Sequence, residues 1–327
     1  MPAYLESGQS APADPARAPS GRQFEIANRS AVAVVTEVGG SLRSFEIDGE
    51  PVLLGYPADQ ICSGGKGQVL APWPNRLQDG SYTWRGVSGA AGLDEPAHSN
   101  AIHGLVRWMN WQVVEHSGSS LTTAVELPPQ PGYPWRLTLE VTYALTSARE
   151  LRVTTTVTNN GDSEAPFGIG FHPYLYAGER GVDTCRLSFA AERRILADER
   201  GLPTGATDVA GSEYDFSRGR SLGGTQLDDC FFGFESSRAA DGTAWSVSLE
   251  RGDGRLVVLS AGIEFPYVMC FTADTLGGWD RRRAVAVEPM SCPPNALRNG
   301  DSLAVLGPAG SDHTTWNGSW RLTASGW

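Results

Sequence analysis

Residues 167–176 read FGIGFHPYLY. Taken with period two, Phe167, Ile169 and Phe171 share one face, and Gly168, Gly170 and His172 share the other. The first face fills a core. The second is bare backbone ending in an imidazole, and Pro173 then stops the strand from continuing a ladder. Glycine inside a strand signals a close approach to the backbone. Two readings of His172 stand open here: a core histidine satisfied by a neighbour, or a group placed to touch whatever approaches.

A second stretch repeats the device. Residues 284–288, AVAVE, put Val285 and Val287 on one side and Ala284, Ala286 and Glu288 on the other, again with a proline, Pro289, next. A carboxylate on a half-buried strand face costs free energy unless it is paired or solvated in a cleft. Two strands built alike suggest one concave floor carrying an acid/base pair.

The rest of the chain suits such a floor. Short alternating runs at 31–35, 41–47 and 51–54 are separated by Gly39-Gly40 and by Asp48-Gly49, a strong hairpin signal. Leu137, Leu139, Val141, Tyr143 and Leu145 alternate with polar or small residues, and 151–157 continues the pattern up to Asn159-Asn160-Gly161. The runs 245–249, 256–259 and 267–271 follow. No stretch sustains a helical period beyond about two turns. With 39 glycines and 21 prolines to punctuate the strands, the expectation is a single all-β domain, a large sheet sandwich from residue 24 onward. Residues 1–23, rich in Pro, Ala and Ser, read as a disordered tail.

Bulk properties exclude several functions. A net charge of −11 argues against nucleic acid or an anionic membrane as the main partner, and no apolar run is long enough to span a bilayer. Five cysteines, odd in number and never in C-x-x-C, make neither a zinc site nor a disulfide framework. They fit reduced buried thiols in the cytoplasm, and the N-terminus lacks the basic and apolar regions of a secretory signal. Histidines 98, 103, 116, 172 and 313 have no metal-ligand spacing, and the glycine-rich segment 64–67 lacks the ending of a P-loop. No metal or cofactor is expected. Of 26 basic residues only Lys66 is a lysine, which reads as compositional bias without functional content.

Three further stretches carry polar groups. In 70–84, LAPWPNRLQDGSYTW, two prolines stiffen the approach to Asn75-Arg76, making Arg76 a donor to hydroxyl oxygens or a plain surface arginine beside a turn. In 100–111, NAIHGLVRWMNW, His103 stands directly before Gly104. In 227–232, LDDCFF, two acids precede an aromatic pair, and either could cap a turn.

Together these pieces resemble the aldose 1-epimerase (galactose mutarotase) family, over essentially residues 24–320. The motifs are Pro74-Asn75-Arg76 with Asp79-Gly80, Ile102-His103-Gly104, Gly170-Phe171-His172-Pro173-Tyr174, Leu227-Asp228-Asp229 with Phe231, and Glu288-Pro289 with Pro294-Asn295-Ala296. The resemblance implies a galactose-mutarotase-like β-supersandwich and, residue by residue, two catalytic groups and three binding groups. His172 is similar to the general acid that protonates the sugar ring oxygen, and Glu288 to the base that takes the C1 hydroxyl proton. Arg76, His103 and Asp228 are similar to groups that hold ring and hydroxyl oxygens; Asp228 is preferred to Asp229 because it lies three residues before Phe231. Asn295 departs from the aspartate common in the family. The partner implied is a small free sugar, and the protein a monomer or homodimer.

The chemistry is coherent on its own terms. Exchanging anomers needs a proton delivered to an ether-like ring oxygen and another removed from a hydroxyl, and an ordinary histidine near 6.5 opposite a glutamate near 4.3 suits both. Small residues on the same strand faces would leave room for a pyranose. A glycoside hydrolase would use two carboxylates, Asp228 and Glu288, without needing His172. A non-catalytic carbohydrate-binding protein would suit ten tryptophans on a sandwich but leaves the acid/base pair unexplained. The segment 55–76, GYPADQICSGGKGQVLAPWPNR, further resembles a bacterial subgroup that includes sulfoquinovose mutarotases. That implies a sugar with an anionic group at C6, to be met by Lys66, Arg107 or the 281–283 arginine run.

Overall fold

The longest alternating runs build the largest sheet. Strands Leu137–Ser147 and Glu150–Asn159 pair antiparallel, with Leu139 opposite Val157 and Tyr143 opposite Val153. Their apolar residues share a fully buried face, each contributing roughly 1.5–3 kcal/mol by leaving water. Thr315–Ser325 lies along the far edge of Glu150–Asn159, and the pattern extends to nine antiparallel strands. The computed structural model describes residues 18–234 and 241–327.

A second sheet of eight strands is organised around Ala284–Met290. Tyr267–Phe271 pairs with one side of that strand, and Gly170–Phe171 and Tyr174–Tyr176 pair with the other. The two large sheets face each other across one core. The Phe171 ring meets Trp320 of the nine-stranded sheet at 5.3 Å and Phe265 at 6.1 Å. A four-stranded sheet, Gln23–Asn28 to Glu50–Pro51, completes the all-β sandwich. Its last hairpin turns at Asp48 and Gly49, both at positive φ (53° and 75°), as a two-residue primed turn requires. Among the described residues the α-helical content is one turn, Ala296–Asn299.

Residues 167–176 depart from the expected single strand. They divide among three short strands: Ala165–Phe167 pairs with Ala304–Leu306, while Gly170–Phe171 and Tyr174–Tyr176 join the eight-stranded sheet. The face assignment survives, since Phe167, Ile169 and Phe171 all enter the main core. The glycines serve a different neighbour from the one expected. A Cβ on Gly168 would lie 2.3 Å from Cys292 Sγ, and one on Gly170 would lie 2.9 Å from Pro74 Cβ. The close approach is therefore by the protein's own chain. The alanines of 284–288 likewise leave no room for a sugar: Ala284 and Ala286 pack with Tyr174 and Tyr176. Pro289 does not end its strand, because it lies opposite Val268 inside the ladder.

At the N-terminus, residues 1–17 of the expected 1–23 tail lie outside the described residues. Ser20 is buried, Ser20 O accepts from Val38 N–H, and Arg22 pairs with Glu37. All five cysteines are free and buried. Among the described residues no helix is long and apolar enough to cross a membrane.

Candidate active site

Glu288 lies opposite Met269 in a strand whose every residue is buried. Its side chain is 3% exposed, and Oε1 stands 3.3 Å from Nε2 of His172, itself 6% exposed. Glu288 Oε2 is buried without a partner, a costly state unless a ligand completes it. His172 is held from three sides. Its N–H donates to Gln68 O and its carbonyl accepts from Gly67 N–H. Tyr174 stacks on the imidazole at 4.9 Å and 11°, and is itself anchored by its hydroxyl donating 2.7 Å to Gly64 O. Gly65, at φ +74°, completes the seat, since a Cβ there would lie 2.8 Å from His172 Cδ2.

Burial shifts the two groups in opposite directions. Desolvation pushes the His172 imidazole down to about 3, with Arg107 and Lys66 adding to the effect. Desolvation pushes the Glu288 carboxyl well above the usual range; Asp228 adds to the rise and Arg76 opposes it. The ordinary values assumed from sequence are thus corrected. Between the two shifted values the pair holds one dissociable proton, and the opposed shifts place it on Glu288.

Arg76 and His103 meet through a short strand pair, Arg76–Gln78 with Asn100–Ile102, in which Arg76 is opposite Ile102. The chain turns sharply at its ends, with Asn75 at φ 55° and His103 at φ 66°, a left-handed conformation rare outside glycine. Asn75 N–H donates to His103 Nδ1 at 3.2 Å. That acceptor role assigns the ring proton to Nε2. Burial, reinforced by the neighbouring His172, holds His103 well below its usual value, so it is a neutral N–H donor. Its ring stands edge-on to His172 at 5.3 Å.

Arg76 makes a two-pronged contact with Glu95, Nε to Oε2 at 3.0 Å and Nη2 to Oε1 at 3.0 Å, and Nη2 is 3.8 Å from Asp228 Oδ2. Asp228 opens the strand Asp228–Phe234 at the mouth of the cleft, its side chain 55% exposed. Asp229 turns to Arg194 instead, so the two acids have different partners. Asn295 accepts from Gln78 N–H through Oδ1 at 3.0 Å and donates its N–H to Arg76 O at 2.7 Å. An amide oxygen does here what a carboxylate would.

All five expected residues line one cleft of about 300 Å³, together with Gly64, Gly65, Glu95, Arg107, Tyr174 and Leu276. Arg76 and Asp228 also border an adjoining cavity of about 210 Å³ that reaches His98 and Asp198. Sequence reasoning missed Glu95, Tyr174 as a stacking partner, and Gly65 against His172. Glu95 lies in a loop without periodicity. Pairing the stretches 70–84 and 100–111 with each other would have enclosed it.

The eight- and nine-stranded sandwich is a fold shared with solved structures. A GalM/aldose epimerase homologue from C. elegans superimposes with a TM-score of 0.80 at 18% identity, covering 93% of this chain and 98% of that one. The galactose 1-epimerase of Lactobacillus acidophilus NCFM gives 0.75 at 18%, covering 92% and 93%. The aldose 1-epimerase family model matches residues 22–315. The uncharacterized protein YihR of Escherichia coli (strain K12) is 30% identical over 287 residues, 88% of this chain and 89% of that protein. The chain belongs to the aldose 1-epimerase family.

Proposed function

We propose that the protein interconverts the α and β anomers of a free aldopyranose, with His172 and Glu288 as the catalytic pair. The observation that carries this reading is the 3.3 Å contact between His172 Nε2 and Glu288 Oε1 on a buried floor, with Glu288 Oε2 left unpartnered. The contact is long for a charge-assisted hydrogen bond, typically about 2.7–2.9 Å, and a sugar presenting its C1 hydroxyl and ring oxygen can replace it. As the sugar replaces the contact, the pair's one proton passes from Glu288 to His172; Glu288 then takes the C1 hydroxyl proton while His172 gives its proton to the ring oxygen, and the C1–ring oxygen bond breaks. The open aldehyde rotates about C1–C2, and both protons return as the ring closes on the other face. A pair holding one proton is one acid and one base, so the same residues serve both directions.

His103 Nε2–H is a fixed donor to a sugar oxygen, and Arg76, clamped by Glu95, offers its remaining N–H groups to hydroxyls. Asp228 at the cleft mouth accepts from a hydroxyl. A hydrolase built on Asp228 and Glu288 would leave the His172 contact without a task. Polarimetry of freshly dissolved aldoses tests the reading: the protein accelerates the approach to the equilibrium rotation, and release of an aglycone without mutarotation would refute it.

A second reading, a sugar anionic at C6 such as sulfoquinovose, is favoured by Arg107. Of the cations expected from sequence it alone lines the cleft among the described residues, beside its partner Asp94. Lys66 and Arg282 are engaged by Asp280, Asp183 and Asp274. A sulfosugar preference over glucose that shrinks with added salt would support recognition by this cation; equal or better turnover of neutral hexoses at low salt removes it.

A further inference from the structure

The lysine that composition alone marks as incidental is one of the most enclosed charges in the protein. Lys66, the sole lysine in the chain, is 1% exposed. Its Nζ lies 2.6 Å from Asp280 Oδ2 and 3.1 Å from Ser63 Oγ. A buried ammonium is costly unless paired, and removing its partner strands the charge. Lysine suits the place as a compact point charge on a long stem.

What this pair joins gives it a task. Lys66 belongs to the run Gly64-Gly65-Lys66-Gly67, whose three glycines all have positive φ, 61°, 74° and 70°. Glycines are expensive to order and offer no side chain to hold. Lys66 is therefore the one side-chain handle on a loop that presses Gly65 against His172 and supplies the Gly64 carbonyl to Tyr174. Asp280 closes the turn Gly278–Asp280, on the connection that leads from Tyr267–Phe271 to the Glu288 strand. That connection supplies Thr275 and Leu276 to the lining of the cleft, and a Cβ on Gly64 would lie 2.8 Å from Leu276 Cδ2.

We propose that Lys66 and Asp280 are positioning residues: their ion pair clamps the glycine loop to the 272–283 connection and so seats the His172 imidazole for proton transfer. The catalytic part of this rests on His172 acting as in the reading above. Neither residue lines the cleft, so the pair acts through Gly65, Tyr174 and Leu276.

The sequence supplies its own reporter. With one lysine, a lysine-specific protease cuts the denatured chain once, after Lys66, and an acylated Lys66 blocks the cut. Native protein treated with an amine-reactive ester, then quenched, denatured and digested, reports how often the clamp opens. Wild type is expected to stay cleavable far longer than the unfolded chain, and Asp280→Asn to lose cleavability at least ~10-fold faster than wild type. Two further readouts separate positioning from general damage. The His172 ring ¹H–¹⁵N resonance, assigned by its loss in His172→Asn, should shift in Asp280→Asn and return in Asp280→Glu. In parallel, mutarotation should show kcat lowered at least ~10-fold with KM little changed, and partial rescue by Asp280→Glu. Failure of wild type to mutarotate any sugar would strike the functional reading while the labelling and resonance arms still decide the clamp. Wild-type Lys66 acylated as fast as in the unfolded chain, or a His172 resonance and kcat indifferent to Asp280→Asn, would overturn the proposal.

Discussion

The backbone N–H of Asn75 points at Nδ1 of His103 across 3.2 Å, and this one contact decides what His103 can do. With Nδ1 accepting, Nε2 carries the proton, and burial keeps the ring neutral. His103 is a donor of fixed direction, and it is His172 that contacts Glu288.

His103→Asn, which keeps an amide donor, should therefore raise KM more than it lowers kcat, whereas His103→Leu should reduce kcat/KM at least ~10-fold, the scale of one or two lost hydrogen bonds to a reacting substrate. Steady-state kinetics of both variants on the best aldose checks this. Equal kcat/KM for Leu and wild type would remove His103 from substrate binding.

Arg76 is a fork against Glu95, so its charge alone is insufficient. Arg76→Lys should cost at least ~10-fold in kcat/KM although the charge is kept, because an ammonium cannot hold Glu95 and a sugar hydroxyl in the same planar geometry. A lysine variant at wild-type efficiency would show that Arg76 contributes field and no geometry.

The pH dependence follows from the opposed shifts. His172 is pushed down to about 3 and Glu288 up, so the imidazole has no titration of its own near 6.5. The profile of kcat/KM should lack an acid limb near 6.5 and fall as pH rises through the raised Glu288 value. An acid limb centred near 6.5 would contradict this. Stability carries the same signature with a definite sign. The unfolded chain takes a proton on His172 near 6.5 that the folded one refuses until about 3, so this residue lowers stability as pH falls below 6.5. Glu288 ionises near 4.5 when unfolded and higher when folded, so it lowers stability as pH rises from 4.5 through the folded value. Glu288→Gln does not titrate and should reduce the decline in Tm as pH rises.

The alternation in 137–159 foretold the nine-stranded sheet because one face meets a core and the other meets water. The two stretches that carry the proposed His172–Glu288 pair were legible for a related reason: an ionisable residue on a strand otherwise made of small and apolar ones is anomalous in either direction. What stayed hidden was whose atoms fill the space beside the small residues. Gly168 and Gly170 yield to Cys292 and Pro74, and Ala284 and Ala286 to two tyrosines, partners remote in sequence that no local pattern names. The same holds for Glu95 on Arg76 and Asp280 on Lys66. The pKa shifts escaped for want of burial, which is a property of the assembled sheets.

Gly65 offers a direct probe of the His172 seat. Gly65→Ala should lower kcat at least ~10-fold, because its Cβ would have to share space with the imidazole at 2.8 Å and adopt φ near +74°. Circular dichroism and Tm show whether the fold is kept. An alanine variant with unchanged kcat would mean that His172 tolerates displacement.

The central claim is that Glu288 exchanges a proton with the sugar across from His172. Magnetisation-exchange NMR measures it without any coupling enzyme: saturate the H1 signal of one anomer of an aldose at equilibrium and read the loss at the other. Wild type should transfer saturation rapidly across a panel of aldoses for at least one sugar. Glu288→Gln, similar in shape and still folded by near-ultraviolet circular dichroism, should slow the exchange at least ~10²-fold, the usual contribution of one positioned proton transfer. Exchange in Glu288→Gln within a few-fold of wild type on that sugar would contradict the account.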